Sequence, residues 1–308
     1  MRLLVSRHLE NFLALYDARN MHAAAETKAI SQPALTKSLR LLEQDLGVEL
    51  FVRTHKGLQP TEAGDALHRY ACAIEQEARF ASMDIGNIHG QFGGKVRIGI
   101  GPVLATSLFP AVLVDIHQQF PTMEVTVETG ISSQLVDGLT RDHLDLAVTA
   151  LPEQPLPEKY VGVPVAESDM IVVGRKGHPL GRQADVGLED LVRFERVGFF
   201  EDREFEKKSL RALGPFAQAM RPILQTTSLF VMFEILAQTD YYAIVSSLIL
   251  PRAQREGLDR LSVRHDFWTI DIELLCKSYL LHSKPIAAVR SGLLKSLPHS
   301  QGKVVASR

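Results

Sequence analysis

Residues 21–46, MHAAAETKAISQPALTKSLRLLEQDL, constrain the fold more than any other stretch, because two helical signals meet there at a cap. Ala23, Ala24 and Ala25 favour a helix over residues 21–28 and let a second helix approach closely. Ser31 then supplies a capping hydroxyl, and Pro33 falls in the first turn of a new helix, where its missing N–H costs nothing. Leu35, Leu39, Leu42 and Leu46 follow at spacings of four, three and four, so they share one stripe. The pattern predicts two short helices meeting at a tight corner. Gln32, Pro33, Thr36, Lys37 and Arg40 lie on the outer face.

A helix that enters the DNA major groove presents donors and acceptors near its N-terminal end. Gln pairs with base edges, Thr with bases or phosphates, and Lys and Arg with guanine or phosphate oxygens. The capped N-terminus at Ser31 itself attracts phosphate. An ordinary amphipathic pair with a solvated polar side has the same spacing, so the spacing leaves both readings open. The longer run SQPALTKSLRLLEQDLGVELFVRTHKGLQPTEAG separates them by resemblance. Residues 31–34, Leu42 with Glu43, residues 47–53, and Thr61 with Gly64 follow the order found in LysR-type transcriptional regulators. The chain departs from that pattern at Asn20, His22, Lys28, Leu41 and Pro60. The resemblance implies a winged helix-turn-helix that binds double-stranded DNA through Ser31, Gln32, Pro33, Thr36, Lys37 and Arg40.

Composition neither adds to this nor opposes it. The 308 residues are 45% hydrophobic and 23% charged, which is globular composition, and the net charge is -2. Residues 1–64 hold eight Lys and Arg against seven Asp and Glu, a balance of +1, so DNA binding has to rest on where a few cations stand. The two cysteines, Cys72 and Cys276, exclude a disulfide framework and any zinc site built on several thiolates. No stretch approaches the roughly 20 apolar residues of a membrane span. Arg7, His8 and Glu10 interrupt the apolar start, so a signal peptide is not expected and the protein is expected in the cytoplasm.

Residues 8–19 carry Leu9, Phe12, Leu13 and Tyr16 along one side and are expected to close the core beneath the corner. Gly47 ends the second helix, and residues 50–53 and 58–60 read as a hairpin around Lys56 and Gly57. Such a wing brings Arg53, Thr54, His55 and Lys56 near the phosphate backbone, although a solvated turn fits His55 and Lys56 as well. From residue 61 to 89 the chain reads as one long helix. Leu67, Ala71, Ile74, Ala78, Ala81, Ile85 and Ile88 alternate at four and three, a heptad seam rich in Ala. That seam predicts dimerisation, with water on the sides carrying His68, Arg69, Glu75, Gln76 and Arg79.

Beyond Gly94 strands and helices alternate. Strands are read at residues 95–101, 124–129, 144–149, 161–165 and 169–174, with helices at 108–119 and 133–140. Further strands fall at 196–199, 223–226, 242–245, 258–263 and 270–278, with helices at 204–213, 229–238 and 285–295. Two lobes result, joined by crossings near residues 147–150 and 267–272. This part is similar to the effector domain of the same family, and so to periplasmic solute-binding proteins, through residues 97–99, Phe120 with Pro121, residues 144–147 and residues 178–180. The family's glycine-rich stretch is replaced by Asp240, Tyr241 and Tyr242. The fold class is therefore α plus α/β: an N-terminal winged helix-turn-helix (1–60), a linker and dimerisation helix (61–92), and a two-lobed periplasmic-binding-protein-like effector domain (93–300). Lobe I covers about 93–149 and 270–300, lobe II about 165–266, and residues 301–308 form a tail.

Strand-to-helix loops facing the cleft are the expected effector site. They offer Leu104, Ala105, Thr106, Ser107, Ser132, Ser133, Phe199, Phe200, Thr226, Thr227 and Ser246. The hydroxyls suit a carboxylate-bearing metabolite and the aromatics a ring or aliphatic body. Each Ser or Thr equally fits a helix cap, and each Phe a core position. No GxSxG, Walker loop, HExxH or GxGxxG follows a strand, and no catalytic residue, metal or cofactor is expected. His143 and Asp145 fit a turn and hinge better than a metal pair. The chain thus reads as a dimeric or tetrameric, ligand-controlled transcription regulator whose partners are double-stranded DNA, a small-molecule effector, itself and RNA polymerase, with no membrane partner. A solute-binding protein with interaction helices is the alternative, and a transferase on the same scaffold a more distant one.

Overall fold

The computed structural model describes residues 6–54, 57–88, 93–150, 155–199 and 203–297. These fall into two compact units: residues 1–89 with Arg141–His143, and residues 90–140 with 144–308.

In the first unit, α1 (Arg7–Ala18), α2 (Met21–Thr27) and α3 (Gln32–Leu46) precede a hairpin of β1 (Phe51–Thr54) and β2 (Gly57–Pro60), then α4 (Glu62–Ile88). The Ser31 cap is as the sequence predicts, and Asn20 adds a cap on α2 that was not expected. Asn20 Oδ1 accepts from His22 N and Ala23 N, and Ser31 Oγ accepts from Ala34 N at 3.3 Å. Leu9, Phe12 and Leu15 of α1 meet Ala24 and Ala25 of α2 and Leu35, Leu39 and Leu42 of α3 in one buried cluster. Gly47 leaves α3 at a φ of 73°, a left-handed turn that glycine adopts without strain. Glu43 Oε1 then accepts from Leu50 N at 2.8 Å, which ties the end of α3 to the wing. Thr61 Oγ1 accepts from Gly64 N, and a Cβ at Gly64 would overlap the Leu50 carbonyl oxygen. Only glycine lets α4 start this close beneath the wing.

The long helix is one element, as expected, but its faces are used differently. Leu67, Ala71 and Ile74 pack into the core of their own chain, while Ala78, Ala81 and Ile85 stay exposed; the Ile88 side chain lies outside the described residues. The expectation of water at His68 and Gln76 is overturned, because both are buried in line with Cys72, Phe80 and Met83. An apolar seam does not say whether its partner is a second chain or its own, and here its first half has its own.

The second unit starts with β3 (Gly93–Ile100), α5 (Pro102–Ser107), α6 (Phe109–Gln119), β4 (Thr122–Thr129), α7 (Ser132–Thr140), β5 (Leu146–Ala150) and β6 (Tyr160–Arg175). It continues with α8 (Leu188–Leu191), β7 (Val197–Phe199), α9 (Arg203–Leu213), β8 (Leu224–Thr226), α10 (Leu229–Gln238), β9 (Tyr242–Ser246), α11 (Leu250–Arg255), β10 (Leu258–Leu261), β11 (Thr269–Lys277) and α12 (Lys284–Ser296). The main sheet runs β10-β6-β11-β5-β3-β4, with β9 also on β6. β3 lies parallel to β4 and β5, and β11 closes the first lobe antiparallel to β5.

Residues 161–165 and 169–174, read from sequence as two strands, belong to one continuous strand, β6. Its first part pairs with β11 and its last part with β9 and β10. The first crossing between lobes therefore lies within β6, not at residues 147–150, all of which pair inside lobe I. Pro164 sits beside the register shift at Ile272 and Glu273, where a missing N–H is tolerated. Successive β6 side chains face opposite sides of the second lobe: Ile171 and Val173 pack on Leu229, Met232 and Val245, while Met170 and Val172 pack on Leu188, Leu191 and Tyr242.

Candidate nucleic-acid interface and ligand cleft

With Leu35, Leu39 and Leu42 turned inward, α3 presents its other side to solvent. Ser31, Gln32, Pro33, Lys37 and Arg40 are exposed and Thr36 is half-buried. Gln32, Pro33, Thr36, Lys37 and Arg40 line one concavity with Leu41 and Gln44. Leu41 adds an apolar surface, 37% exposed, among these donors. Arg53 is exposed on β1, whereas the Thr54 side chain, His55 and Lys56 lie outside the described residues. Ser38, on the same helix, faces the other way. Its Oγ is buried, accepts from Asn11 Nδ2 at 2.8 Å, and lies 2.8 Å from His8 Nδ1. This polar lock between α1 and α3 has no signal in the apolar spacing.

The residues expected to face a ligand fall into five groups, and in three of them they serve other ends. Residues 104–107 are not a loop: Pro102 after Gly101 starts α5, so the expected loop is a helix. Leu104 is buried, Ala105 is half-buried, Thr106 donates to the Pro102 carbonyl at 2.9 Å and Ser107 to the Val103 carbonyl at 2.7 Å. Their hydroxyls are thus engaged by their own helix. Thr226 Oγ1 accepts from Ser228 N at 3.0 Å, Ser228 caps α10, and Thr227 is exposed. Phe199 packs against the core that holds Val197 and Leu229, which is the core role; Phe200 lies outside the described residues.

Two groups of hydroxyls do converge. Ser132, at the start of α7, lies 2.8 Å from Thr149 of β5, with Ser133 exposed beside it. Ser246 lies 2.7 Å from Ser168 of β6, which is also 3.2 Å from Ser247, and all three are buried. Thr149, Ser168 and Ser247 were missing from the sequence reading. The available signal was a hydroxyl interrupting an apolar strand, as in VPVAESDMIVV and LAVTA.

Around these groups the framework is held by charge. Asp145 is fully buried and accepts from Arg97 N at 2.7 Å and Arg97 Nη2 at 3.1 Å. Asp145 thus braces the start of β5 against β3 within lobe I, away from the crossing in β6, so the hinge expected of it is not where it lies, while the His143 and His68 rings meet edge-on at 5.8 Å. The Asp240, Tyr241 and Tyr242 segment also has a structural use. Arg175 Nε donates to Asp240 Oδ1 at 2.8 Å, and His178 Nδ1 accepts from Leu180 N while Nε2 donates to the Asp240 carbonyl at 2.9 Å. Burial pushes the His178 imidazole below its usual range and the buried Tyr242 phenol up to about 12.

Comparison with known proteins matches both units. Residues 6–65 match the profile of the bacterial regulatory helix-turn-helix protein, lysR family, and residues 89–297 that of the LysR substrate binding domain. The HTH-type transcriptional regulator GalR of Pseudomonas putida is 32% identical over 250 residues, 80% of this chain and 62% of that protein, so the match spans under two thirds of that relative. The hydrogen peroxide-inducible genes activator of Pectobacterium carotovorum is 27% identical over 82% of this chain and 83% of its own. A full-length OxyR from Pseudomonas aeruginosa, solved as a cysteine-to-aspartate variant, superposes with a TM-score of 0.73 over 97% of this chain and 98% of that one at 18% identity, a likeness of fold alone. The two profiles follow one another over residues 6–65 and 89–297, nearly the whole chain, which belongs to the LysR family of transcription regulators.

Proposed function

We propose that α3 reads DNA while the cleft between the lobes of the second unit senses a small, carboxylate-bearing metabolite. The observation that carries the first half is the division of α3 itself, with leucines buried and Gln32, Lys37 and Arg40 exposed from the capped end onward. Gln32, Thr36 and Arg40 are the base readers; Ser31, Lys37, Arg53, Thr54, His55 and Lys56 hold the phosphate backbone, and Pro33 lies against the DNA by apolar contact. Support for the second half is the pair of hydroxyl clusters, Ser132 with Thr149 and Ser168 with Ser246 and Ser247, on the strands and helix starts that flank the lobe crossing. A carboxylate accepts from such hydroxyls once they turn from one another to the ligand.

Residues 1–60 are the DNA-binding domain, 61–92 the linker and 93–300 the effector domain in this reading. Ala78, Ala81 and Ile85 are the seam for a second copy, which doubles the DNA contacts and sets a two-fold site. Ligand closing the cleft changes the angle between lobes and, through a dimer or tetramer, the spacing of the recognition helices. RNA polymerase is a further partner. The site of action is the cytoplasm; among the described residues no helix is long and apolar enough to cross a membrane.

Peroxide, named for the Pectobacterium relative, meets no exposed thiol here: Cys72 and Cys276 are both buried, and burial pushes the Cys276 thiol up to about 12. The test is a pull-down of genomic fragments by the full-length protein, followed by titration of the recovered fragment and calorimetry with a metabolite panel. Specific binding that Gln32→Ala and Arg40→Ala leave intact rejects the reading of α3. A panel in which only neutral compounds bind rejects the carboxylate.

A further inference from the structure

Outside the α3 face and the proposed effector site, one group of side chains among the described residues has the chemistry of a ligand set. His68 and Cys72 stand four residues apart on α4, a spacing that turns both to the same side of the helix. His143 belongs to Arg141–His143, which packs with the same compact unit. One ligand atom from each of the three lies within 4.8 Å of the others, with His68 and Cys72 buried and His143 exposed. We propose that His68, Cys72 and His143 form a binding site for a divalent transition-metal ion of the zinc class.

The distances suit this. In tetrahedral zinc sites, with Zn–N about 2.0–2.1 Å and Zn–S about 2.3 Å, neighbouring ligand atoms stand roughly 3.3–3.7 Å apart. His68 Nε2 and Cys72 Sγ are already 3.4 Å apart, and His143, at the exposed end, makes the remaining adjustment. Asp17 Oδ1 lies 3.9 Å from His68 Nε2 and is the carboxylate in reach of the fourth position. One thiolate with two imidazoles and a carboxylate favours zinc, cobalt or copper over magnesium or calcium, which take oxygen ligands.

The central ligand is held in advance. The His68 ring stacks on Tyr16 at 3.7 Å with an interplanar angle of 12°, Arg19 lies 3.8 Å over the Tyr16 ring, and the Tyr16 hydroxyl donates to Asp65 at 2.7 Å. This packing fixes the imidazole plane before any ion arrives, as supporting shells do in metal sites. Binding forms the metal–sulfur bond with release of the Cys72 thiol proton to solvent.

The test uses full-length protein stripped with a chelator, kept reduced, and titrated with cobalt(II) and then zinc(II). The expected result is one cobalt per chain, with a thiolate-to-cobalt charge-transfer band and visible bands of tetrahedral intensity, both removed by one equivalent of zinc. Cys72→Ser is expected to abolish the charge-transfer band. Because Cys72 is buried and its variant can fail to fold, the exposed His143→Gln is the second arm, expected to weaken cobalt binding roughly tenfold or more with unchanged circular dichroism. Absence of a charge-transfer band in the parent protein overturns the site, and so does a His143→Gln titration that superposes on the parent.

Discussion

The two surfaces of this chain that are to meet something other than itself are built in opposite ways. On α3 the polar side chains take no part in holding the fold: Gln32, Lys37 and Arg40 stand exposed above leucines that are fully or almost fully buried. In the second unit the polar groups hold one another: Ser132 with Thr149, Ser168 with Ser246 and Ser247 on the strand that crosses between lobes, and Asp145 with Arg97 inside lobe I. A surface that reads DNA can therefore change with little effect on stability. A region whose buried polar groups also brace the fold cannot.

The largest effect that tests this contrast is expected at Asp145. Its carboxylate is fully buried and serves both the backbone N–H and the guanidinium of Arg97, so Asp145→Ala leaves a largely buried cation and a donor without their acceptor. Breaking such a pair costs about 3–5 kcal/mol. The single tryptophan, Trp268, packs in the second lobe and reports unfolding of that unit alone during urea titration. A loss below about 1 kcal/mol would break the contrast from the effector side. Next in size are Gln32→Ala and Arg40→Ala, each expected to weaken specific DNA binding by about 1–3 kcal/mol while leaving thermal stability within about 0.5 kcal/mol. Either variant unfolding with the weakened binding would break it from the other side.

The same contrast explains what the sequence could disclose. The α3 face was legible because periodicity alone sorts Leu35, Leu39 and Leu42 from Gln32, Lys37 and Arg40, and because Ser31 and Gly47 mark both ends. The order of strands and helices in the second unit was legible for the same reason. Residues 104–107 were misread because a six-residue helix is too short to show a period, so the Gly101 and Pro102 start went unnoticed. The single strand β6 was divided because Pro164 and the polar residues 167–169 look like a break, whereas they fall at and beside a bulge. His68 and Gln76 were assigned to water by polarity, yet what lies against them is set by segments far away in sequence. Partnerships such as Ser168 with Ser246, 78 residues apart, have no local signature.

A smaller effect sharpens the comparison within the cleft. Ser168→Ala removes a fully buried hydroxyl shared by Ser246 and Ser247 and is expected to cost about 1 kcal/mol of stability in the second unit. Ser132→Ala, at a half-buried position, is expected to leave stability within about 0.5 kcal/mol. If both variants weaken the carboxylate ligand by calorimetry and only Ser168→Ala is destabilised, bracing and binding are separable along the depth of the cleft. Equal destabilisation would make the cleft uniform.

The smallest expected effect is the response to pH, and its sign follows from His178. Burial lowers the folded-state pKa of this imidazole below its ordinary value of 6.5, with the Asp240 carbonyl and carboxylate acting in the opposite direction. Between the folded and unfolded values the unfolded chain binds the proton and the folded chain does not. The contribution is therefore fully present above 6.5 and is lost as pH falls through the folded value. Glu273 works in the opposite sense at lower pH, because burial and Asp271 raise its carboxyl above 4.5 and so favour the folded state as it protonates. Urea titrations followed by Trp268 at about pH 7.5 and about pH 5.5 are expected to give the lower stability at the lower pH, with the difference flattened in His178→Gln. An unchanged difference in that variant would mean that the proton is taken up elsewhere. The hydrogen bonds from Leu180 and to Asp240 would then be a brace that pH leaves alone.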